Sequence, residues 1–269
     1  MTEPLLDVQT IDAFYGPIQA LRGVSLQINP GERIALVGAN GAGKTTTLRT
    51  ISGLLQPTNG SIWFDGKPIR GLKPNQVVQR GIAHLPEGRE LFSGLTVEEN
   101  LRAGFWSQRK KKEANFTAQR DRVMDLFPIL RERAKQAAGT LSGGEQQMLG
   151  VARALMSNPR LLIVDELSLG LAPKIVAQLF EILREVNEAG CAIMIVEQFV
   201  HMALANTDRA YVLAKGAVVL EGRSAEMLAD PKLIASYLGE EAAGAAEKPV
   251  PTKRPRKTTA KTAAKTRKR

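Results

Sequence analysis

One glycine-rich segment constrains the fold of this 269-residue chain more than any other feature. Residues 38–45, GANGAGKT, match the pattern GxxxxGK[ST] between an apolar segment, Arg33–Val37, and a segment of helical spacing, Lys44–Leu54. Glycines let consecutive backbone N–H groups turn toward one anion, and the start of the following helix adds positive potential. The segment therefore predicts a phosphate-binding loop that joins a buried strand to a helix.

The residues of this loop have distinct predicted roles. The Lys44 ammonium group is expected to meet the β and γ phosphates of a nucleotide, and the Thr45 hydroxyl is expected to ligate Mg²⁺. The alternative is a chance Gly-rich turn, which the position between a strand and a helix disfavours. The predicted nucleotide contacts are Gly38, Ala39, Asn40, Gly41, Ala42, Gly43, Lys44, Thr45 and Thr46.

Strands and helices alternate along most of the chain. Apolar patterns predict strands at Val8–Ala13, Leu21–Ile28, Arg33–Val37, Ser61–Phe64, Ile82–Leu85, Leu161–Val164 and Cys191–Val196. Helical spacing predicts helices at Lys44–Leu54, Thr96–Gly104, Glu113–Phe127, Gly144–Ser157 and Pro173–Glu188. Such alternation is typical of a mainly parallel sheet with helices on both faces. The helical spacing between about residues 88 and 155 predicts an inserted helical subdomain.

Composition is that of an ordinary globular protein. The chain is 43% hydrophobic, and no apolar run approaches the roughly 18 residues of a membrane-spanning helix. Glu3 and Asp7 stand where a signal peptide would be basic and then apolar, so we expect a cytoplasmic protein. Cys191 lies in an apolar run and is expected to be a buried thiol. Because His84 and His201 have no metal-ligand spacing around them, we expect packing or surface roles for both.

The net charge of +10 is concentrated at the C-terminus. Residues 248–269 contain ten Lys or Arg and no acid, whereas residues 1–247 carry 27 basic and 27 acidic residues. Since few large apolar residues follow Gly239, we predict a globular domain at 1–239 and a disordered basic tail at 240–269. A solvated extension is favoured for the tail, with attachment to an anionic membrane surface as the next alternative. Nucleic-acid binding ranks last, because no aromatics are interleaved with the charges.

Two adjacent carboxylates end a predicted strand. Leu161–Val164 is apolar throughout, and Asp165 and Glu166 follow it directly. Ligands of open α/β sheets bind at the carboxyl ends of the strands, so the pair is expected beside the phosphate-binding loop. We predict that Asp165 holds Mg²⁺ through water and that Glu166, as general base, accepts the proton of the attacking water. Two solvated acids at a strand end are the alternative.

A third segment, LSGGEQQ at residues 141–147, precedes a predicted helix. Ser142 and Glu145 have the spacing of a capping box, which is a sufficient structural interpretation of those two residues. The adjacent glycines Gly143 and Gly144 are not needed for a cap, and their entropic cost at a helix start indicates backbone that approaches a ligand. This segment resembles the signature sequence of ABC ATPases.

The resemblance to ABC ATPases extends over about residues 5–238. It implies a P-loop NTPase fold of ABC ATPase type, with an antiparallel β patch near the N-terminus. It also implies that Tyr15 stacks on adenine and that residues 142–145 face the γ phosphate of ATP bound to the opposite subunit. Ser168–Leu171 is similar to the loop that crosses the dimer interface in that family. The runs GANGAGKTTTL, LPEGRELFSGLTVEENL, LSGGEQQML and SLGLAP resemble the second ATPase subunit of branched-chain amino acid importers.

Three positions depart from the pattern of most ABC ATPases. Glu87 replaces a Gln between the sheet and the helical insertion, Gln198 replaces a His, and Leu167 replaces a Pro. The first two substitutions resemble the branched-chain amino acid subfamily itself. The resemblance implies that the catalytic residues are Glu166, Lys44 and Gln198. It implies that the metal-binding residues are Thr45, Asp165 and Glu87.

The resemblance implies an ATP-hydrolysing, nucleotide-binding subunit that powers an importer of branched-chain amino acids, with ATP and Mg²⁺ as cofactors. Its partners would be a second ATPase subunit or a second copy of itself, two transmembrane permeases docked near Glu87, and indirectly a periplasmic or extracellular solute-binding protein. Its place would be peripheral, on the cytoplasmic side of the inner membrane. The alternatives are an importer of urea, amides or other amino acids, and a non-transport ABC ATPase acting on nucleic acid or ribosomes.

Overall fold

The computed structural model describes residues 3–88, 90–109, 111–230 and 236. The strands are β1 (Leu6–Tyr15), β2 (Ile18–Ile28), β3 (Arg33–Val37), β4 (Asn59–Phe64), β5 (Lys67–Pro68), β6 (Ile82–Leu85), β7 (Leu161–Asp165), β8 (Ala192–Glu197), β9 (Arg209–Ala214) and β10 (Ala217–Arg223). The helices are α1 (Lys44–Ile51), α2 (Pro74–Arg80), α3 (Val97–Gly104), α4 (Phe116–Leu126), α5 (Pro128–Glu132), α6 (Gly143–Leu155), α7 (Pro173–Glu188), α8 (Val200–Ala205) and α9 (Ser224–Ala229). The predicted tail, residues 240–269, lies outside the described residues.

Two sheets form the body of the protein. The first has the order β2-β1-β4-β5, and its pairings are antiparallel. The second has the order β10-β9-β3-β8-β7-β6 and is parallel except for the β9–β10 pair. This arrangement confirms the predicted mainly parallel sheet with an antiparallel patch near the N-terminus.

The central strands are apolar because both faces of the second sheet are covered. Every residue of β7 and β8 is buried, because one face packs on α3 to α7 and the other on α1 and the first sheet. Cys191 is buried just before β8, and burial raises the pKa of its thiol to about 12. The expectation of a core thiol is therefore confirmed.

Four of the helices, α3 to α6, come between β6 and β7 and share an apolar core with α7. Side-chain caps determine where three of them begin. Thr96 and Ser142 cap α3 and α6 in capping boxes, and Asn115 accepts a hydrogen bond from Ala118 N at the start of α4. Such caps contribute about 1 kcal/mol each. Among the described helices none is long and apolar enough to cross a membrane.

Some helix ends differ from the predicted ones. The helix after the glycine-rich loop ends at Ile51 instead of Leu54, because Gly53 adopts a positive φ of 75°. The helix predicted from Glu113 begins at Phe116, because Asn115 supplies the cap. The sequence patterns also missed the last two strands of the second sheet, and α2, α8 and α9, which have only six or seven residues each.

Candidate functional site

The predicted site residues lie at one edge of the second sheet. The parallel strands β3, β8, β7 and β6 are neighbours in that order, so their carboxyl ends meet at the same edge. Gly38 follows β3, Gln198 follows β8, Asp165 ends β7, and Glu87 comes two residues after β6. Four segments that are far apart in the chain are thus brought together by the sheet order alone.

The glycine-rich loop, residues 38–45, wraps around the Lys44 side chain. Lys44 is the first residue of α1 and is only 7% exposed. Its Nζ donates hydrogen bonds to the carbonyl oxygens of Gly38 at 2.8 Å and Ala39 at 3.4 Å. Gly41 and Gly43 have φ angles of 77° and 110°, in the region that favours glycine. The loop therefore directs a single ammonium group into its own centre.

The start of α1 is suited to an anion. Gly43 occupies the N-cap position, and no side chain caps the helix. The first turn contains no acidic residue, so the N-terminal backbone N–H groups and the helix dipole are not neutralised locally. Thr45 is exposed in this turn, where its hydroxyl can reach a ligand.

Asp165 is a buried acid, only 3% exposed. Burial, reinforced by the negative charges of Glu166 and Glu87, raises the pKa of its carboxyl group to about 7, while Lys44 opposes the shift. The Asp165 carboxyl group is therefore near enough to Glu166, Glu87 and Lys44 for their charges to act on it. The described residues include no cluster of three His, Cys, Asp or Glu side chains arranged to hold a metal ion.

Glu166 has a strained backbone. Its φ is 46°, which is uncommon for a residue other than glycine, and its N–H donates to Val196 O on β8 at 2.8 Å. The side chain lines a groove together with Lys44, Thr45 and Glu87. We call this space of about 1110 Å³ the strand-end groove. It joins the predicted phosphate loop, the predicted base and Glu87 in one cavity.

The structure also places residues in this groove that the sequence did not single out. Ile18, which is 68% exposed, lines it together with Arg22 on β2 and Lys215 at the β9–β10 turn. No local pattern marks these residues, because they belong to strands and turns that reach the loop only through tertiary packing. Tyr15 stands at the end of β1, 42% exposed, and its hydroxyl accepts a hydrogen bond of 3.5 Å from Arg49 on α1.

Gln198 is exposed directly after β8, and Leu167 is fully buried directly after Glu166. The Leu167 side chain belongs to the core formed by α3 to α7. A leucine at this position therefore anchors the loop by apolar packing, where the rigid ring of a proline would restrict the backbone.

The signature-like segment lies outside the strand-end groove. Ser142 and Gly143 are exposed, and none of residues 142–145 lines that groove. Ser142 N donates to Glu145 Oε2 at 2.8 Å, which confirms the predicted capping box, and Glu145 also forms an ion pair with Arg133. A Cβ atom on Gly144 would approach Ile175 Cγ2 to 3.0 Å. Close packing of α6 on α7 therefore gives this glycine a structural role as well, and the predicted approach of its backbone to a ligand stays a prediction.

A mainly parallel sheet with a glycine-rich loop and a pair of acids at one edge defines a P-loop nucleotide-binding protein. The family described as ABC transporter matches residues 21–168, and the chain belongs to this family. The fold agrees with that assignment. A crystal structure of the ADP conformation of an ATP-binding cassette of an ABC transporter has a TM-score of 0.78 and 29% identity, and the match covers 89% of this chain and all of the other.

Curated relatives extend the comparison over nearly the whole described chain. The high-affinity branched-chain amino acid transport ATP-binding protein BraG of Pseudomonas aeruginosa is 47% identical over 235 residues, which cover 87% of this chain and 100% of that protein. The probable branched-chain amino acid transport ATP-binding protein LivF of Archaeoglobus fulgidus is 37% identical over 229 residues, which cover 85% of this chain and 96% of that protein.

Proposed function

We propose that this chain is the ATP-hydrolysing subunit of an ABC importer of branched-chain amino acids. The observation that carries the proposal is the strand-end groove, in which Lys44, Thr45 and Glu166 face one cavity. Both relatives, at 47% and 37% identity, are named as branched-chain amino acid transport ATP-binding proteins, which supports the choice of solute.

The groove and the residues around it would supply the parts that phosphoryl transfer needs. The N–H groups of the glycine-rich loop would cradle the phosphates, and Lys44 would exchange its bonds to Gly38 O and Ala39 O for phosphate oxygens. Glu166 would accept the proton of the attacking water, and Gln198 would contact the γ phosphate. Tyr15 would stack on the adenine from the first sheet.

The residues at the sheet edge fit a bound Mg²⁺. Thr45, Asp165 and Glu87 would be its nearest protein groups, with Asp165 acting through water. Because Mg²⁺ is typically held by one or two carboxylates together with phosphate oxygens and water, a three-acid cluster is not required. Burial and then the negative charges of Glu166 and Glu87 raise the pKa of Asp165, and a divalent cation would relieve the repulsion between these acids. When bound, the ion neutralises charge on the phosphates during transfer.

A second ATPase subunit would complete the site. None of residues 142–145 lines the groove of their own chain, and Ser142 and Gly143 are exposed. The helix N-terminus that they begin would face the γ phosphate held by another subunit, either a homologue or a second copy. ATP would then be bound between the two subunits, and hydrolysis would separate them.

A second groove is the proposed docking place of the permeases. This side groove, about 470 Å³, is lined by His84 of β6, by Phe92 and Trp106, and by Ser107 and Arg153. Phe92 is 52% and Trp106 43% exposed, while His84 Nε2 and Ser107 Oγ are buried without a hydrogen-bond partner among the described residues. A permease segment that covers Phe92 and Trp106 would remove this apolar surface from water.

The test is to reconstitute the full-length chain with its permeases, second ATPase subunit and solute-binding protein in vesicles. We expect ATP-dependent uptake of labelled leucine and none of urea. Lys44→Ala should abolish ATP binding and uptake. Glu166→Gln should keep ATP binding, lower hydrolysis by roughly two to four orders of magnitude as for loss of a general base, and trap an ATP-bound dimer.

Separate outcomes would contradict separate parts of the proposal. ATP binding that survives Lys44→Ala in the folded protein would remove the loop from the mechanism. Near-normal turnover by Glu166→Gln would move the role of base to another residue. Uptake of urea in place of leucine would leave the ATPase assignment intact and overturn the assignment of the solute.

A further inference from the structure

A buried acid that the proposed chemistry does not use lies beside the strand-end groove. Glu197 is the last residue of β8, and it is only 1% exposed. Burial raises the pKa of its carboxyl group, and the hydrogen bonds that it accepts oppose this shift. Since burying a carboxylate is costly, an apolar residue would be cheaper here if the position only filled space.

The hydrogen bonds of Glu197 come from one short loop, residues 167–171, which follows Glu166. Ser168 N donates to Glu197 Oε1 at 3.1 Å, and Ser168 Oγ donates to Glu197 Oε2 at 2.9 Å. A backbone hydrogen bond from Leu167 adds to them. Both carboxylate oxygens therefore hold the start of this loop.

The same strand end also holds the predicted base. Glu166 N donates to Val196 O, one residue before Glu197, and Glu166 keeps a strained φ of 46°. A strained residue persists only where its surroundings fix it on several sides. The contacts from β8 fix the backbone on both sides of the Glu166 side chain. Beyond them, Leu169 is 50% exposed and Gly170 is exposed, so the far part of the loop faces outward.

We infer that Glu197 is a positioning residue that clamps the loop 167–171 to β8 and thereby sets the position of Glu166 for hydrolysis. This inference rests on the proposed function for its catalytic consequence. Glu197 is not among the residues that line the strand-end groove, so its contribution is to the hydrolytic step and not to nucleotide affinity.

Hydrogen-bonding capacity separates a clamp from a charge effect. In Glu197→Gln the amide oxygen can still accept from Ser168 N, and the amide NH₂ can donate to Ser168 Oγ. The clamp is kept and the negative charge is lost. Glu197→Ala removes both, and Ser168→Ala removes only the hydroxyl bond. Thr207→Ala is the matched control, since Thr207 is a buried hydroxyl bonded to Ala203 O and Ser224 far along the chain from this loop.

The experiment measures kcat and KM for ATP with the full-length chain in the assembled importer. We expect Glu197→Ala to lower kcat about tenfold, because small displacements of a catalytic group are costly, with KM changed less than about twofold. Glu197→Gln should stay within about twofold of the unmodified kcat, and Ser168→Ala should fall between the two. The double variant, Glu197→Ala with Ser168→Ala, should match Glu197→Ala, because the Ser168 hydroxyl group has already lost its Glu197 partner. Thr207→Ala should leave kcat unchanged.

Hydrogen exchange of the full-length chain supplies a readout that does not depend on activity. The Ser168 amide should exchange faster in Glu197→Ala than in the unmodified chain or in Glu197→Gln, while amides of α7 remain protected. If Glu197→Ala fails to fold, Ser168→Ala and Glu197→Gln still test the clamp. An unchanged kcat with unchanged Ser168 exchange in Glu197→Ala would overturn the inference, and so would a Glu197→Gln enzyme as slow as Glu197→Ala. An unmodified complex without ATPase activity would instead refute the proposed function.

Discussion

At the scale of single residues, burial sets the ionisation of two side chains in opposite directions. Desolvation disfavours the charged form of any group, so it raises the pKa of the Asp165 carboxyl to about 7 and lowers the pKa of the His84 imidazole to about 4. The nearby positive charge of Arg49 adds to the shift at His84. His84 is therefore neutral in the folded protein at neutral pH.

This depressed pKa predicts acid sensitivity. The ordinary pKa of histidine, 6.5, applies to the unfolded chain, which binds the proton more readily than the folded chain with its pKa of about 4. The stability contribution is complete above pH 6.5 and is lost as the pH falls toward 4. Between about pH 7.5 and pH 5 the loss should be at most about 2 kcal/mol.

The measurement is the free energy of unfolding of the isolated chain by urea at both pH values. From about pH 7.5 to pH 5, the free energy of unfolding of His84→Leu should fall by up to about 2 kcal/mol less than that of the unmodified chain. The titration of Asp165 is common to both proteins and cancels in the comparison. His201→Leu, at an exposed position on α8, is the control and should behave as the unmodified chain does. An identical pH dependence in His84→Leu would rule out His84 as the source.

At the scale of elements, the short segment after β6 connects the two grooves. Glu87 lines the strand-end groove, while Glu90 and Phe92, a few residues later, line the side groove. Arg153 of α6 donates to Glu90 O at 2.8 Å and stacks on the Phe92 ring at 5.4 Å. A displacement of Glu87 can therefore be transmitted to the surface proposed for the permeases.

This placement predicts a coupling defect for Glu87→Ala. An ionised Glu87 accepts hydrogen bonds but cannot donate them, so its contacts should change when the γ phosphate leaves. We expect solute-stimulated hydrolysis and uptake to fall several-fold, by about 1 kcal/mol of coupling, with ATP affinity nearly unchanged. Nucleotide binding and hydrolysis in the reconstituted importer provide the test.

Glu113→Ala is the matched control, because Glu113 is an exposed acid that lines neither groove. It should resemble the unmodified complex in binding, hydrolysis and uptake. If Glu87→Ala matches it in all three, Glu87 has no part in coupling, while the assignment of the chain to the ABC transporter family is unaffected.

At the scale of the whole molecule, the excess positive charge and the named strands and helices lie in different parts of the chain. The ten basic residues of the predicted tail lie beyond residue 247, and residues 1–247 are balanced in charge. The last named helix, α9, ends at Ala229, and Ser236, the last residue that the structure describes, lines the strand-end groove. Neither groove is therefore expected to need the basic residues.

Truncation after Gly239 should accordingly preserve the thermal midpoint and the ATPase activity within about twofold, as changes away from packed features usually do. At most it should weaken association with vesicles that contain anionic lipid, in a manner that added salt abolishes. Sedimentation with neutral and anionic vesicles, with and without salt, measures this effect. Loss of solubility or hydrolysis on truncation would assign the tail a structural role.

Local patterns in the sequence determined much of the architecture and the chemistry of the site. The apolar runs at Arg33–Val37 and Ile82–Leu85 predicted β3 and β6 with their observed ends, and the glycine-rich loop predicted the strand–loop–helix unit. These features depend on neighbouring residues, since periodicity, caps and glycine conformations act over a few positions. The adjacency of Asp165 and Glu166 at a strand end is of the same kind.

Tertiary structure alone decided which distant residues meet. The order β3-β8-β7-β6 brings Lys44, Glu166 and Glu87 to one groove, and only packing assigns Gly144 to contact with Ile175. The burial that shifts the pKa of Asp165 and the clamp of Glu197 on Ser168 follow from the same strand order. Sequence patterns fix the period of each element, but solvent exclusion and contacts between elements arise only when several elements pack together.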